Sequence, residues 1–448
     1  MNESGVRVRI LPILLGDNAN IGYAMNRMAP ARELIGDLAE FTSAQVITTE
    51  NADRFVSSTP GDYDALAVAM PLAVRDYAEV IASVKKPVMF LEPSCAFHPY
   101  QAGARAALLR AGAVVLPTDC PEAMVSSARA VIAAKRLRAG KAMLFVADPD
   151  KDARLADTAQ ERLGVTVEIH PVEYLKDEAR RISDATAAAT LARWKETSFS
   201  RIDGVDDQHL IGVAKLYHAE KALLESAGAN ALGVEEFGPF LFQKLPMPNV
   251  TYALLKDEGF VCTEEADLGC LLTQMLFHAV AGAQNTMSNI YMAFRTEREK
   301  CGSDYTPEKE LADYRECLRD NCVVISHFST AGSLPKNMMV EEKWEVRETI
   351  GAWPGQSMVY STPKTGPVTL GRLHDDLANF DIYPGDTAEV RKLDSLGWHR
   401  CRWLVRLNSA KTFMETAISH HFAIAPGHPD PALRILAERL LGICIREY

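Results

Sequence analysis

The residues best placed to do chemistry lie between Cys262 and Asn289. Glu264, Glu265 and Asp267 stand directly ahead of the apolar run Leu271 to Val280. That run reads as a helix, Thr263 is suited to cap it, and carboxylates beside a helix N-terminus are favoured by its exposed N–H groups and dipole. Val261, Cys262, Ala266 and Leu268 make the surroundings apolar. At least one carboxylate is therefore expected to point into protein, where it needs a cation, a proton or several donors. Glu265 is taken as the chemical centre. Of the 11 histidines, His327, His420, His421 and His428 sit near strand ends. Adjacent histidines on a strand point to opposite faces, so only one of His420 and His421 can serve a given site. Glu, Asp or Asn, and His together suit a divalent cation such as Mn²⁺, Mg²⁺ or Co²⁺.

The elements that must position these groups read as follows. The first part of the chain alternates short apolar strands with helices. The strands are Val6 to Leu15, Gln45 to Thr48, Ala65 to Met70, Pro87 to Leu91 and Ala113 to Leu116. Helices are expected over Pro30 to Phe41, with the proline in its first turn, and over Val74 to Ser83, Gln101 to Ala111 and Pro121 to Ala139. This alternation implies a parallel, doubly wound sheet, with ligands outside the carboxyl ends of its strands. The loops Gly16 to Asn20 and Glu92-Pro93-Ser94-Cys95 are such ends. No Gly-x-Gly-x-x-Gly and no Gly-x-x-x-x-Gly-Lys-[Ser/Thr] is present, so nucleotide binding is unsupported.

A second α/β unit starts at Lys141. Leu210, Val213, Leu216, Ala219 and Leu223 place a helix over Asp207 to Ala227. Ala231 to Val234 reads as a strand ending in Glu235-Glu236. Beyond Asn289 the pattern becomes short strands with Gly and Pro turns. These are Cys322 to Ser326, Trp344 to Glu348, Ser357 to Ser361, Val368 to Leu373, Phe380 to Tyr383 and Arg402 to Leu407. A mainly antiparallel, barrel-like third domain follows, closed by a terminal helix over Pro431 to Ile443. The fold class is thus two doubly wound α/β domains, 1–140 and 141–287, and a β-rich C-terminal domain, 288–448.

Composition narrows the function. A net charge of −11 disfavours nucleic-acid or anionic-membrane binding. No apolar run reaches about 18 residues. Met1-Asn2-Glu3-Ser4 lacks the basic and apolar regions of a signal peptide, and a cytoplasmic location is expected. The 9 cysteines are odd in number and scattered, as reduced thiols of a cytosolic protein are.

Four ordered pieces resemble the L-fucose/L-arabinose isomerase superfamily. They are Gly259-Phe260-Val261-Cys262-x-x-Glu265-Ala266-Asp267-Leu268-Gly269, Ser326-His327, Gly366-Pro367-Val368-Thr369-Leu370-Gly371-Arg372, and His420-His421 with Gly427-His428. The resemblance implies two α/β domains, a β-rich C-terminal domain and a homo-oligomer, hexameric or tetrameric. It also implies Mn²⁺ held by a glutamate, an aspartate and a histidine. These match Glu265, Asn289 (Ser288 with a slip of one) and His421, preferred over His420. In the arabinose branch a further histidine ligand matches His327. The family chemistry moves a proton between C1 and C2 of a sugar through a cis-enediolate, with Glu265 as base or as a ligand beside it. Asn289 departs from the pattern, because an amide oxygen can ligate but carries no charge and shuttles no proton. Glu264 or Asp267 could compensate. His420, Lys336 and Arg372 are candidate substrate contacts, the last two for an anionic substituent. The expected function is a metal-dependent aldose–ketose isomerase. The alternatives are altered enediolate chemistry, such as carbon–carbon cleavage or group transfer, and a non-catalytic sugar-binding homologue.

Overall fold

A computed structural model of the chain describes residues 6–17, 20–58, 61–68, 73–91, 99–235, 245–291, 307–327, 332–348, 355–392 and 401–448. These fall into two compact units, the residues up to Arg138 with Asp430–Cys444, and Ala139–Pro429 with Ile445–Tyr448.

The first unit is built on a parallel sheet. Its strands run in the order Ala39–Phe41, Val8–Leu15, Ala65–Val68 and Val88–Phe90, with Gln45–Ile47 also paired to Val8–Leu15. Apolar residues such as Ile13, Leu66 and Val88 are fully buried here, as strands covered on both faces require. The first helix is Ile21–Leu34, not the later segment read from Pro30. Asn20 caps it by accepting the Tyr23 N–H, and Pro30 lies inside. Ala113 to Leu116 contributes only a parallel bridge from Val115 to Val88. The loop Glu92–Cys95, residues 18–19 and Glu236 lie outside the described residues.

The second unit joins a parallel sheet to a closed barrel. The sheet order is Val261–Thr263, Ala231–Val234, Lys141–Val146 and Thr166–Pro171, all parallel. The barrel has six antiparallel strands: Pro367–Leu373, His421–Pro426, Thr286–Tyr291, Cys322–Ser326, Cys401–Leu407 and Asn379–Lys392. It closes because Asn379–Lys392 pairs back onto Pro367–Leu373 from Asp386↔Pro367 to Phe380↔Leu373. Closure removes the exposed edges that an open sheet would carry.

Trp344–Glu348 and Ser357–Tyr360, expected in the barrel, form a separate sheet with Phe199–Asp203. The pairing of Trp344–Glu348 with Phe199–Asp203 is parallel. Trp344 and Val346 bury against Phe199 and Trp194 in the core of the second α/β layer, which explains why they leave the barrel.

One helix links sheet and barrel. Leu268–Ala281 is buried along nearly its whole length, including Leu271, Leu272, Leu276 and Val280. A helix apolar on all sides belongs in an interior. Its cap is Asp267, whose side chain accepts the Cys270 N–H, and not Thr263. The helix starts a turn earlier than its apolar run, which puts Asp267 at the position Asp favours. Gly282, at φ +64°, ends it. Among the described residues no helix is long and apolar enough to cross a membrane.

Candidate metal centre

Three strands of the second sheet end at one edge. Lys141–Val146 leads to residues 147–152, Ala231–Val234 to Glu235, and Val261–Thr263 to the turn Glu264–Ala266. This is where open α/β sheets bind ligands. Glu235 ties two of these ends by accepting the Ala147 N–H at 2.6 Å. The turn folds tightly over the sheet: a Cβ on Gly233 would meet the Ala266 Cα at 3.2 Å and Leu144 at 2.7 Å.

Glu265 and Ala266 both have positive φ, +59° and +49°. Such left-handed backbone costs a non-glycine residue about 1–3 kcal/mol and persists only where the surroundings impose it. The contortion separates three neighbouring carboxylates. Glu264 turns inward and is fully buried. It accepts from the Ser333 N–H at 2.8 Å and from the Ser333 hydroxyl at 2.5 Å, with Lys256 Nζ at 3.8 Å. Burial opposes its ionisation, but Lys256, His327 and Ser333 hold its pKa below the usual value. Asp267 turns to the barrel, where its Oδ1 accepts from Arg372 Nη1 at 2.7 Å. Burial opposes its charge too, yet the Arg372 guanidinium and the bond from His421 keep it well below the usual carboxylate range. Asp267 is therefore engaged through both oxygens, whereas Glu264 is engaged through Oε1 and buries Oε2 without a hydrogen bond.

Glu265 reaches both histidines. Its Oε1 lies 3.1 Å from His327 Nε2 and its Oε2 lies 3.4 Å from His421 Nε2. His327 follows the barrel strand Cys322–Ser326, and His421 begins the strand His421–Pro426. One ligand atom from each of Glu265, His327 and His421 falls within 4.8 Å of the others. The donor chemistry fits a divalent cation. His421 Nε2 is buried and makes no hydrogen bond, while its Nδ1 pairs with Asp267 Oδ2 at 2.9 Å. That leaves Nε2 with its lone pair toward the cluster, the arrangement found around histidine ligands.

The remaining expected site residues divide clearly. Asn289 is the direct cross-strand partner of His421, so both side chains take the same face of the sheet. Ser288 pairs with Phe422 and takes the other face. His420 is exposed, its ring 3.9 Å from that of His421. Arg372 is buried against Asp267 and lines the adjoining cavity. Lys336 is not brought there: it pairs with Asp257 at 2.8 Å and stacks over Trp344. His428 is exposed, 3.8 Å from Asp386. Cys262 and Cys270 are buried, which pushes both thiols up and leaves them poor nucleophiles.

The cavity measures about 350 Å³. Glu265, Asp267, Arg372 and His421 line one side, joined by Lys151, Asp152, Arg154 and Asp375. Sequence reasoning missed the group at 151–154. Its one signal is the acidic run Asp148-Pro149-Asp150-Lys151-Asp152 just past a strand end.

No family model matches the chain, and no curated protein does. Two solved structures show distant likeness. One is the apo dinucleotide forming acetyl-coenzyme A synthetase 1 of Ca. Korarchaeum cryptofilum, at 12% identity and TM-score 0.20, covering 61% of this chain and 65% of that one. The other is an ABC transporter solute binding protein of Agrobacterium vitis bound with alpha-D-tagatopyranose, at 14% identity and TM-score 0.16, covering 61% and 90%. Likeness at this level carries no argument. The chain is defined by its architecture: a parallel α/β sheet and a closed barrel sharing one carboxylate–imidazole cluster.

Proposed function

We propose that the chain is a metal-dependent aldose–ketose isomerase of the L-fucose/L-arabinose isomerase kind, acting on a small sugar or sugar derivative. The observation that carries this reading is the convergence of Glu265, His327 and His421 beside a cavity. One carboxylate and two imidazoles suit Mn²⁺ or a similar divalent ion. When bound, the ion supplies Lewis-acid stabilisation of the charge that develops on a carbonyl oxygen. Glu265, His327 and His421 would hold it, and Asn289, on the same face as His421, would offer a neutral amide oxygen. Asp267 orients His421, and Arg372 keeps Asp267 ionised. The reading carries with it a cytoplasmic homo-oligomer.

A second reading is favoured by Asn289. With one fewer negative charge than the expected ligand set, the same cluster would serve enediolate chemistry that ends in bond cleavage or group transfer.

The test loads purified protein with Mn²⁺, desalts it, and measures metal and sugar interconversion for wild type and Glu265→Gln. Retention of about one Mn²⁺ per chain with an isomeric product, both lost in the variant, is the expected result. Interconversion that survives Glu265→Gln would sink the proposal. A product of different mass would favour the second reading.

A further inference from the structure

We infer that Asp152 is a further catalytic residue of this site, the carboxylate that carries the substrate proton between neighbouring carbons. The inference rests on the isomerase reading above and assigns a role that reading leaves open.

Among the described residues, most carboxylates around the cavity are already engaged. Both oxygens of Glu265 face imidazoles. Asp267 is spent on Arg372, His421 and the Cys270 N–H. Glu264 is fully buried and does not line the cavity, and Asn289 has no carboxylate to take a proton. Two acids lining the cavity remain, Asp152 and Asp375. Asp375 is exposed on a turn, whereas Asp152 is partly buried.

The position of Asp152 is also unusual. It is the N-cap residue of the helix Ala153–Leu163, yet its side chain makes no capping hydrogen bond. An aspartate at this position ordinarily caps. Asp152 instead lines the cavity. Burial raises its pKa above the ordinary value, and Asp267, Asp375 and Glu235 push the same way against Lys151. A base shifted toward neutrality is better matched to taking and returning a proton.

The Asp152 carboxylate takes the hydrogen on C2 of an aldose as a proton. The C–H electron pair forms the C1=C2 bond, and the carbonyl π pair moves onto O1, giving an enediolate. The Asp152 carboxyl then returns its proton to C1, while the O2 hydroxyl proton passes to O1 and the C2=O2 bond forms. Nothing is oxidised or reduced overall.

The experiment follows deuterium entry at C2. A mixture of free aldopentoses and aldohexoses in D₂O with Mn²⁺ is incubated with wild type, Asp152→Asn, Asp152→Glu and Asp375→Asn, and read by proton NMR. Bound Mn²⁺ and melting temperature are measured in parallel. The expected result is exchange by wild type and a loss of about 100-fold or more in Asp152→Asn. Metal content is retained, and exchange returns partly in Asp152→Glu. Exchange by Asp152→Asn within a few-fold of wild type, or loss confined to Asp375→Asn, overturns the assignment and leaves the isomerase reading standing. Absence of exchange in Mn²⁺-loaded wild type overturns both.

Discussion

His421 Nδ1 meets Asp267 Oδ2 at 2.9 Å, and the other oxygen of Asp267 meets Arg372 at 2.7 Å. The three side chains come from the cap of the linking helix and from two barrel strands. They form one relay in which a guanidinium holds a carboxylate charged and the carboxylate holds an imidazole in place. Asp267→Asn is expected to weaken Mn²⁺ binding by about 10–100-fold, measured by calorimetric titration. The Asp267 pKa is depressed, so its contribution to stability is present above the ordinary carboxylate range and is lost only as pH falls through its lower folded value. The ion pair should therefore outlast ordinary carboxylates on acidification.

Glu265 occupies left-handed backbone at φ +59°. Glycine adopts that conformation without steric cost. Glu265→Gly should stabilise the protein by about 1 kcal/mol while abolishing retained Mn²⁺. Urea denaturation and metal analysis of the same preparations check both. Destabilisation would show that the carboxylate contributes more to folding than its backbone costs.

Lys256 and Glu264 are both fully buried, with Lys256 also donating to Thr286 and Ser333. Breaking a buried pair from one side leaves an uncompensated charge. Lys256→Met is expected to cost about 3–5 kcal/mol. The double variant Lys256→Met with Glu264→Gln should recover much of that loss in equilibrium unfolding.

Much of this was legible from residue patterns, and the limits have physical causes. The helix Asp207–Ala227 and the strand Cys322–Ser326 occupy the spans their periodicity predicts. Local patterning could not reveal that Trp344–Glu348 pairs with Phe199–Asp203, because both antiparallel and parallel neighbours accept an alternating strand. Nor could it separate Glu264, Glu265 and Asp267. Their three directions follow from left-handed backbone and from partners such as Ser333 and Arg372 far along the chain. Lys336 looked available because its partner, Asp257, belongs to a distant helix end.

Glu220 lies inside the helix Asp207–Ala227 and is fully buried. The Thr251 hydroxyl beside it donates to the Pro248 carbonyl and offsets the burial only in part. Burial pushes its pKa to about 8. The unfolded chain releases this proton near the ordinary glutamate value, whereas the folded chain keeps it. Stability should therefore fall as pH rises from about 4.5 toward 8. Glu220→Gln, which stays neutral, should be more stable than wild type at pH 7 by about 1–3 kcal/mol, with the gap closing toward pH 4.5. Melting curves across that window test it. A gap that does not vary with pH would show that Glu220 is ionised in the folded chain.

Glu265 and His327 are 62 residues apart in sequence, and Asp267 and His421 are 154 apart. No short fragment of the chain can assemble this cluster. Closing such long loops is entropically costly and comes late in folding. The sheet edge, the linking helix and the barrel must all be in register before the donors meet. Any affinity for a cation at this point would then depend on the assembled fold. During synthesis the donor set would come together only after the His421–Pro426 strand has emerged and docked, so capture of an ion would report the docking of that strand.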